Sequence, residues 1–360
     1  MDKNYLNILK VLNDNGYKAY LVGGCVRDYL IKSISLDVDI ITNATPMEVS
    51  KLFNVKTVNN EYGSVKINAH NNIVDITTFR RELSYKNGKP TKIEYIDSLE
   101  EDLKRRDFTM NTIVMDREYN IIDIMGGIKD IKSNIIRPVK DPKILFKEDP
   151  SRLLRGLRFM SILGMNLDKS IIDYIKHNKK DFELINSNKK KEEFDKLFKS
   201  KKCNRFINFV KDYNLEEYLG IKINTFNPVD NLISNYAQLE FKNLPFTRLE
   251  KEQIKSVKKL IKKGNIGIYD VYKYGLFISS SAALVLNIPL EKINLMYTNL
   301  PINSIIEINI KSEEVLSLLN IKPGRELGNI LHKLEKEIVT GKLKNEKESI
   351  IERLKSYEWY

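Results

Sequence analysis

Apolar and polar positions alternate with two different periods along the first 140 residues. "YLNILKVLND" spaces its apolar residues as a helix does, whereas "KAYLVGG" is a short apolar run ending in two glycines, a strand entering a turn. "LDVDIIT" alternates with period two, and "SVKINA" and "NIVDITTF" read as a strand pair joined through "HNN". Thr45, Pro46 and Glu48 give a capping-box spacing with proline at the first helical position. Residues 80–92 are polar, with Gly88 and Pro90 as breakers, and Ser98 with Glu101 caps a further helix. After Arg137-Pro138 the strand alternation fades and helical patterns dominate to the end. The pattern predicts an α/β or α+β head on a modest sheet, followed by a helical remainder.

At 360 residues the chain is long for one core, so two or more packed units are expected. A formal charge of +12 points to a polyanionic partner, nucleic acid first, although a general richness in Lys, Asn and Ile would raise the charge without any binding. The lysine run "NSNKKKEEFDKLFKSKK" is most simply a solvated amphipathic helix. Only Cys25 and Cys203 are present, which argues against a disulfide framework or a zinc site. Three scattered histidines, His70, His177 and His332, lack metal-ligand spacing. The N-terminus has no signal-peptide core, and the longest apolar run, "YGLFISSSAALVLNIPL", reads as a buried helix and not as a span. A soluble, cytoplasmic protein with no membrane and no disulfide partner is expected.

Three stretches could carry chemistry. In "LDVDIIT", Asp37 and Asp39 fall on one strand face, roughly 6–7 Å apart by the strand rise. A divalent cation would relieve their repulsion, and Mg²⁺ favours one or two carboxylates together with phosphate oxygens. A polar strand end is the plain alternative. Asp75 in "NIVDITTF" has the same alternation and would supply a third carboxylate if its strand lies alongside, as in a two-metal phosphoryl-transfer site. "LVGGCVRD" places Gly23 and Gly24 between strand and helix, where backbone amides can approach a phosphate and Arg27 can clamp it. In "RRDFTMN", Arg106 suits triphosphate oxygens and Asp107 can accept from a ribose hydroxyl; a helix C-terminus rich in cations is the alternative. "DIMGGIKD" reads as a strand, a turn and a helix, mostly structural. Finally "KEDPSRLLRGLRFM" sets Glu148 and Asp149 before Arg152, Arg155 and Arg158, which by itself is explained by helix electrostatics.

In order and at close spacing, "LVGGCVRDYL", "LDVDIIT", "RRDFTMN", "DIMGGIKD" and "EDPSRLLRGLRF" resemble the five-part signature of bacterial class II tRNA nucleotidyltransferases, the CCA-adding enzymes of the polymerase-beta-like nucleotidyltransferase superfamily. The resemblance extends through the C-terminal "LNIKPGRELGNIL". It implies an α+β fold: a catalytic head at 1–138 with a small mixed sheet, then an all-α neck (139–199), body (200–290) and tail (291–360) that together hold the tRNA acceptor arm, the tail being a tRNA-binding part. It implies that Asp37 and Asp39 hold Mg²⁺ in a two-metal site, with Asp75 at a third-acid position. Gly23, Gly24, Arg27 and Arg106 would contact the incoming nucleotide, with Asp107 near its ribose. Asp149 and Arg152 would read the base, supported by Glu148, and Arg155 and Arg158 would complete the pocket. "IKSISL" departs from the usual pattern before Asp37. "YKNGKPTK" falls where the family has a flexible loop, with Lys89-Pro90 in place of the usual arginines.

Base selection then has a simple chemical form. C offers an amino donor and a ring acceptor on its Watson–Crick edge, A offers the same pair, and U and G reverse it. A carboxylate beside a guanidinium complements C and A together, because one only accepts and the other only donates. Asp149 and Arg152, at i and i+3, are expected to meet on one helix face. The expected reaction is in-line attack of a tRNA 3′-hydroxyl on the α-phosphorus of CTP or ATP, with pyrophosphate leaving. A CC-adding or A-adding specialist, a poly(A) polymerase and a silent tRNA-binding module are the alternatives.

Overall fold

The computed structural model describes residues 3–33, 38–69, 72–86 and 88–356. Its head begins with α1 (Lys3–Asp14), β1 (Ala19–Val22), α2 (Gly24–Leu30), β2 (Asp39–Thr42) and α3 (Pro46–Leu52). Strands β3 (Val55–Asn59), β4 (Ser64–Ala69), β5 (Asn72–Thr78), β6 (Arg80–Lys86) and β7 (Lys89–Tyr95) follow. Next come α4 (Leu99–Lys104), β8 (Val114–Met115), β9 (Ile121–Ile122) and α5 (Gly127–Lys132).

Seven strands form one mixed sheet in the order β3-β4-β5-β2-β1-β8-β9. The pairs are antiparallel except β2 with β5, which run parallel and set Asp39 opposite Asp75. The period-two alternation divides the sheet residues between two cores. Leu21, Ile40, Val65, Val74 and Ile76 pack with Leu9, Leu12 and Val26 on one face. Val22, Ile41 and Val114 pack with Phe79 and Leu103 on the other. Asp39 shares the face of Ile41, so the strand that buries Ile40 must present a carboxylate on the opposite side. Thr45 caps α3 with the reciprocal Glu48 bond of a capping box, and Ser98 caps α4 by accepting from the Glu101 amide.

Residues 80–92 differ from their reading as a broken polar stretch: they fall in the hairpin of β6 and β7, a separate antiparallel pair with Lys86 opposite Lys89. The breakers mark its ends and edge instead of preventing strands. Gly88 adopts the left-handed φ of +71° that a tight turn needs, and Pro90 lies on a two-stranded ribbon, where a missing donor is tolerated.

Helices α6 (Pro142–Glu148), α7 (Ser151–Leu163), α8 (Lys169–His177) and α9 (Ser187–Phe198) follow the head. Short strand pairs interrupt this helical part, one of them Ile135–Ile136 beside Asn166–Leu167. By packing, residues up to 197 form one unit with 202–222 and 241–245. Residues 198–201, 223–240 and 246 onward form the other. The second unit is built of helices, including Arg248–Lys263, Ile268–Leu286 and Arg325–Val339, around two cores, one holding Val257, Leu260 and Ile293 and the other Val315, Leu334 and Ile350. The apolar run expected as one buried helix is instead only partly buried, with Phe277 exposed. It lies in Ile268–Leu286 up to Leu286, kinks at Gly275, where φ is +74°, and runs on to Leu290 at the start of the next helix. Among the described residues no helix is long and apolar enough to cross a membrane.

Candidate active site

The turn after β1 brings the first elements of the site together. Gly23 has φ +78°, and α2 starts at Gly24. A Cβ on Gly23 would lie 3.5 Å from Asp39 Oδ2, so backbone conformation more than space demands glycine there. Asp39 is exposed at the start of β2, while Asp37 lies outside the described residues. Asp75, directly across from Asp39, is ion-paired with Lys66 at 3.0 Å. Asp39 and Asp75 line a shared recess of about 330 Å³ with Arg80, Arg105 and Arg106.

Beside this recess opens a cavity of about 610 Å³, lined by Gly23, Gly24, Arg27, Asp39, Arg106, Asp107, Asp149, Arg152, Arg155 and Arg158. Every nucleotide-binding residue expected from the sequence thus faces one space. In all, seven arginines and five acids line it, a positive excess suited to a triphosphate.

Each cation is held by a specific partner. Arg27 is buried, donates from Nη1 to Asn111 Oδ1 at 2.7 Å and from Nη2 to Asp28 at 2.7 Å, and packs over the Phe159 ring at 5.1 Å. Arg106 reaches Asp102 at 3.4 Å, and its Nε makes no hydrogen bond among the described residues. Burial pulls the Arg106 guanidinium below its ordinary value. Asp107 accepts from the Phe108 amide at 2.7 Å and from Asn111 Nδ2 at 3.0 Å, and pairs with Arg155 at 2.7 Å. Burial works to raise the Asp107 carboxyl, but Arg155 and these two donors outweigh it and hold it below the usual range. Arg158 pairs with Glu193 at 2.6 Å and lies 4.2 Å over the Phe159 ring.

Asp149 and Arg152 are neighbours by a different route from the single helix face expected. Proline disfavours helical geometry in the residue before it. Accordingly α6 stops at Glu148, and Asp149 is extended with φ −144°, ahead of Pro150. The turn restores proximity: the Arg152 amide donates to Asp149 O at 3.1 Å. Asp149 Oδ1 accepts from the amide and hydroxyl of Ser151 at 2.9 and 2.6 Å, which fixes the carboxylate at the head of α7. Arg152, buried, donates to Glu148 Oε2 at 3.1 Å and to Arg105 O at 2.8 Å. Glu148 stands behind Arg152, outside the cavity wall.

The hairpin supplies further cavity residues: Arg80 and Glu82, which sequence reasoning passed over, and Tyr85, Gly88 and Pro90 from "YKNGKPTK", which it noted only as a loop. A Cβ on Gly88 would come within 2.7 Å of Asp149 Oδ1, so the hairpin turn sits directly on the Asp149 carboxylate. Arg80 and Arg105 both approach Glu82, which burial would raise but those two cations hold below its ordinary value. Strand alternation in "RRELSYK", which the breakers masked, was the available signal. Asn111 and Phe159 belonged to motifs already singled out.

A family model described as the poly A polymerase head domain matches residues 19–137, and one described as a putative tRNA nucleotidyltransferase domain 2 matches residues 231–354. The chain is 34% identical to the CCA-adding enzyme of Ligilactobacillus salivarius, over 98% of this chain and 96% of the relative. It is 32% identical to that of Bacillus subtilis, over 98% and 97%. A crystal structure of the Bacillus stearothermophilus CCA-adding enzyme in complex with CTP superposes with a TM-score of 0.84 at 26% identity, covering 98% of this chain and 96% of that one. The Thermotoga maritima CCA-adding enzyme, complexed with tRNA, shares the fold at a TM-score of 0.65 and 18% identity, covering 98% and 94%.

Proposed function

The chain belongs to the family of CCA-adding enzymes, and we propose on that premise that it adds C, C and A to the 3′ end of tRNA. CTP and ATP are the substrates and pyrophosphate the product. The observation that carries the reading is the single cavity shared by Asp39, the Gly23–Gly24 turn, seven arginines and the Asp149–Arg152 pair. A cytoplasmic location is part of this proposal.

Asp149 and Arg152 act as the protein's substitute for a templating base. The Asp149 Oδ2, which makes no hydrogen bond to the described residues, accepts from the exocyclic amine of C or A, and the Arg152 guanidinium donates to the ring nitrogen. Facing U or G, both protein groups would be left unpaired in a partly desolvated site, which supports strong discrimination. Arg155 releases Asp107 for the ribose as the nucleotide enters, and Arg27 and Arg106 take the triphosphate oxygens.

Enzymes of this superfamily generally use divalent metal ions. The donor set fits: Asp39 offers hard carboxylate oxygens at the rim of an arginine-lined recess, with Asp75 opposite in register and Asp37 two positions earlier in the sequence. Asp37 and Asp39 would hold Mg²⁺, with Asp75 as a third acid; bound there, the ion would lower the pKa of the attacking hydroxyl and offset triphosphate charge. The tRNA 3′-oxygen forms its bond to the α-phosphorus while the bond to the bridging oxygen of pyrophosphate breaks. The arginine cluster offsets the charge developing on the leaving group, and no covalent enzyme intermediate forms.

The test is incorporation with tRNAs lacking CCA and tRNAs ending in CC, given CTP and ATP separately. C should enter only the first and A only the second. Failure to add A to a CC-ended tRNA would leave a CC-adding specialist, and long A tails on unstructured RNA would mean a poly(A) polymerase.

A further inference from the structure

We infer that Lys140 is a positioning residue for base selection, acting through Glu148 on Arg152. The inference rests on the reading of Arg152 as the cation that faces the base. Lys140 stands one residue before Asp141, whose side chain caps α6 by accepting from the Lys143 amide at 2.8 Å. That helix has seven residues, so it is about 10 Å long by its rise per residue. The Lys140 ammonium meets its far end, donating from Nζ to Glu148 Oε1 at 2.7 Å. The other oxygen of Glu148, Oε2, accepts from Arg152 Nη1 at 3.1 Å. One carboxylate is thus divided between two cations, all three side chains being mostly shielded from water, with 28%, 19% and 9% exposure for Lys140, Glu148 and Arg152.

The division matters because a carboxylate left alone with a guanidinium tends to pair with it through both oxygens, and such a fork engages two donors at once. Lys140 occupies one oxygen, so Glu148 offers Arg152 a single bond. The other hydrogen bonds of Arg152 go to the carbonyls of Leu145 and Arg105, at 3.4 and 2.8 Å. A guanidinium has five N–H donors, so this arrangement restrains the group while keeping donors for a base edge. Removing the Lys140 charge frees Glu148 to draw Arg152 back into a two-oxygen pair.

Lys140→Met keeps the apolar stem and removes the charge. Its KM for both CTP and ATP is expected to rise three- to tenfold, with kcat and tRNA binding little changed, and misincorporation from UTP should increase relative to CTP. Lys140→Arg should restore wild-type values. In a Glu148→Ala background, where no carboxylate can retract Arg152, adding Lys140→Met should cost nothing further. The inference is overturned if Lys140→Met leaves KM and UTP misincorporation at wild-type levels. It is equally overturned if only melting temperature and kcat fall, if Lys140→Arg fails to restore selection, or if the loss is as large without Glu148. Arg152→Ala, measured in parallel, keeps the two levels apart. Intact selection in that variant removes the base-reading role itself, whereas lost selection there with silent Lys140 variants removes only this inference.

Discussion

At the scale of single residues, the site depends on pairs that must exchange partners. Asp107 and Arg155 hold one another at 2.7 Å in the cavity wall, and in the proposed reaction they part to meet a nucleotide. Asp39 is exposed and lines the arginine-rich recess. Asp39→Ala should abolish nucleotide incorporation while tRNA binding, measured by filter retention, stays near wild type; surviving incorporation would contradict the metal assignment. Asp102 offers a stability test free of substrate. Burial would raise its carboxyl, but Arg105, Arg106 and the Arg80 amide outweigh that and hold it below the usual range. Its contribution is therefore present above the unfolded carboxylate value of about 3.9 and lost as pH falls through the lower folded value. Asp102→Asn should be less stable than wild type at neutral pH in urea unfolding, and the difference should shrink below about pH 4.

At the scale of elements, the break between α6 and α7 and the turn of the β6–β7 hairpin do most to shape the pair proposed to read the base, Asp149 and Arg152. Gly88 combines a left-handed φ with a Cβ position 2.7 Å from Asp149 Oδ1. Gly88→Ala should therefore displace the carboxylate and lower kcat/KM for both CTP and ATP by on the order of tenfold, with the melting temperature little affected. Much of this was legible beforehand. Period two in "LDVDIIT" gave the face of Asp39, and the Thr45 and Ser98 caps gave helix starts. The helix break at Asp149 was legible too, since Pro150 announces it, yet the i, i+3 spacing of Asp149 and Arg152 suggested one continuous helix. The hairpin was masked by Gly88 and Pro90, because turn residues at a ribbon's tip look the same in sequence as breakers in a loop. The pairing of Lys140 with Glu148 could not be read at all: eight residues apart, they meet through the path of the chain around a seven-residue helix.

At the scale of the whole molecule, a formal charge of +12 favours a polyanion, as the proposed tRNA substrate is. Phosphate contacts by lysine and arginine release counterions, so tRNA affinity should fall steeply and log-linearly with salt. CTP affinity, held largely by shielded arginines, should change less over the same range. A salt-independent tRNA affinity in a titration from low to physiological ionic strength would remove the electrostatic account of RNA binding.

The central claim is that two side chains replace a template, and it is tested most directly by exchanging them. Wild-type protein and the Asp149→Arg, Arg152→Asp double variant would each be offered all four nucleoside triphosphates, one at a time, on tRNAs ending before the first C and at CC. The account predicts that wild type takes C and then A and refuses U and G, whereas the exchanged protein loses preference for C and A while binding tRNA as before. Undiminished selection of C and A by the exchanged protein would contradict it.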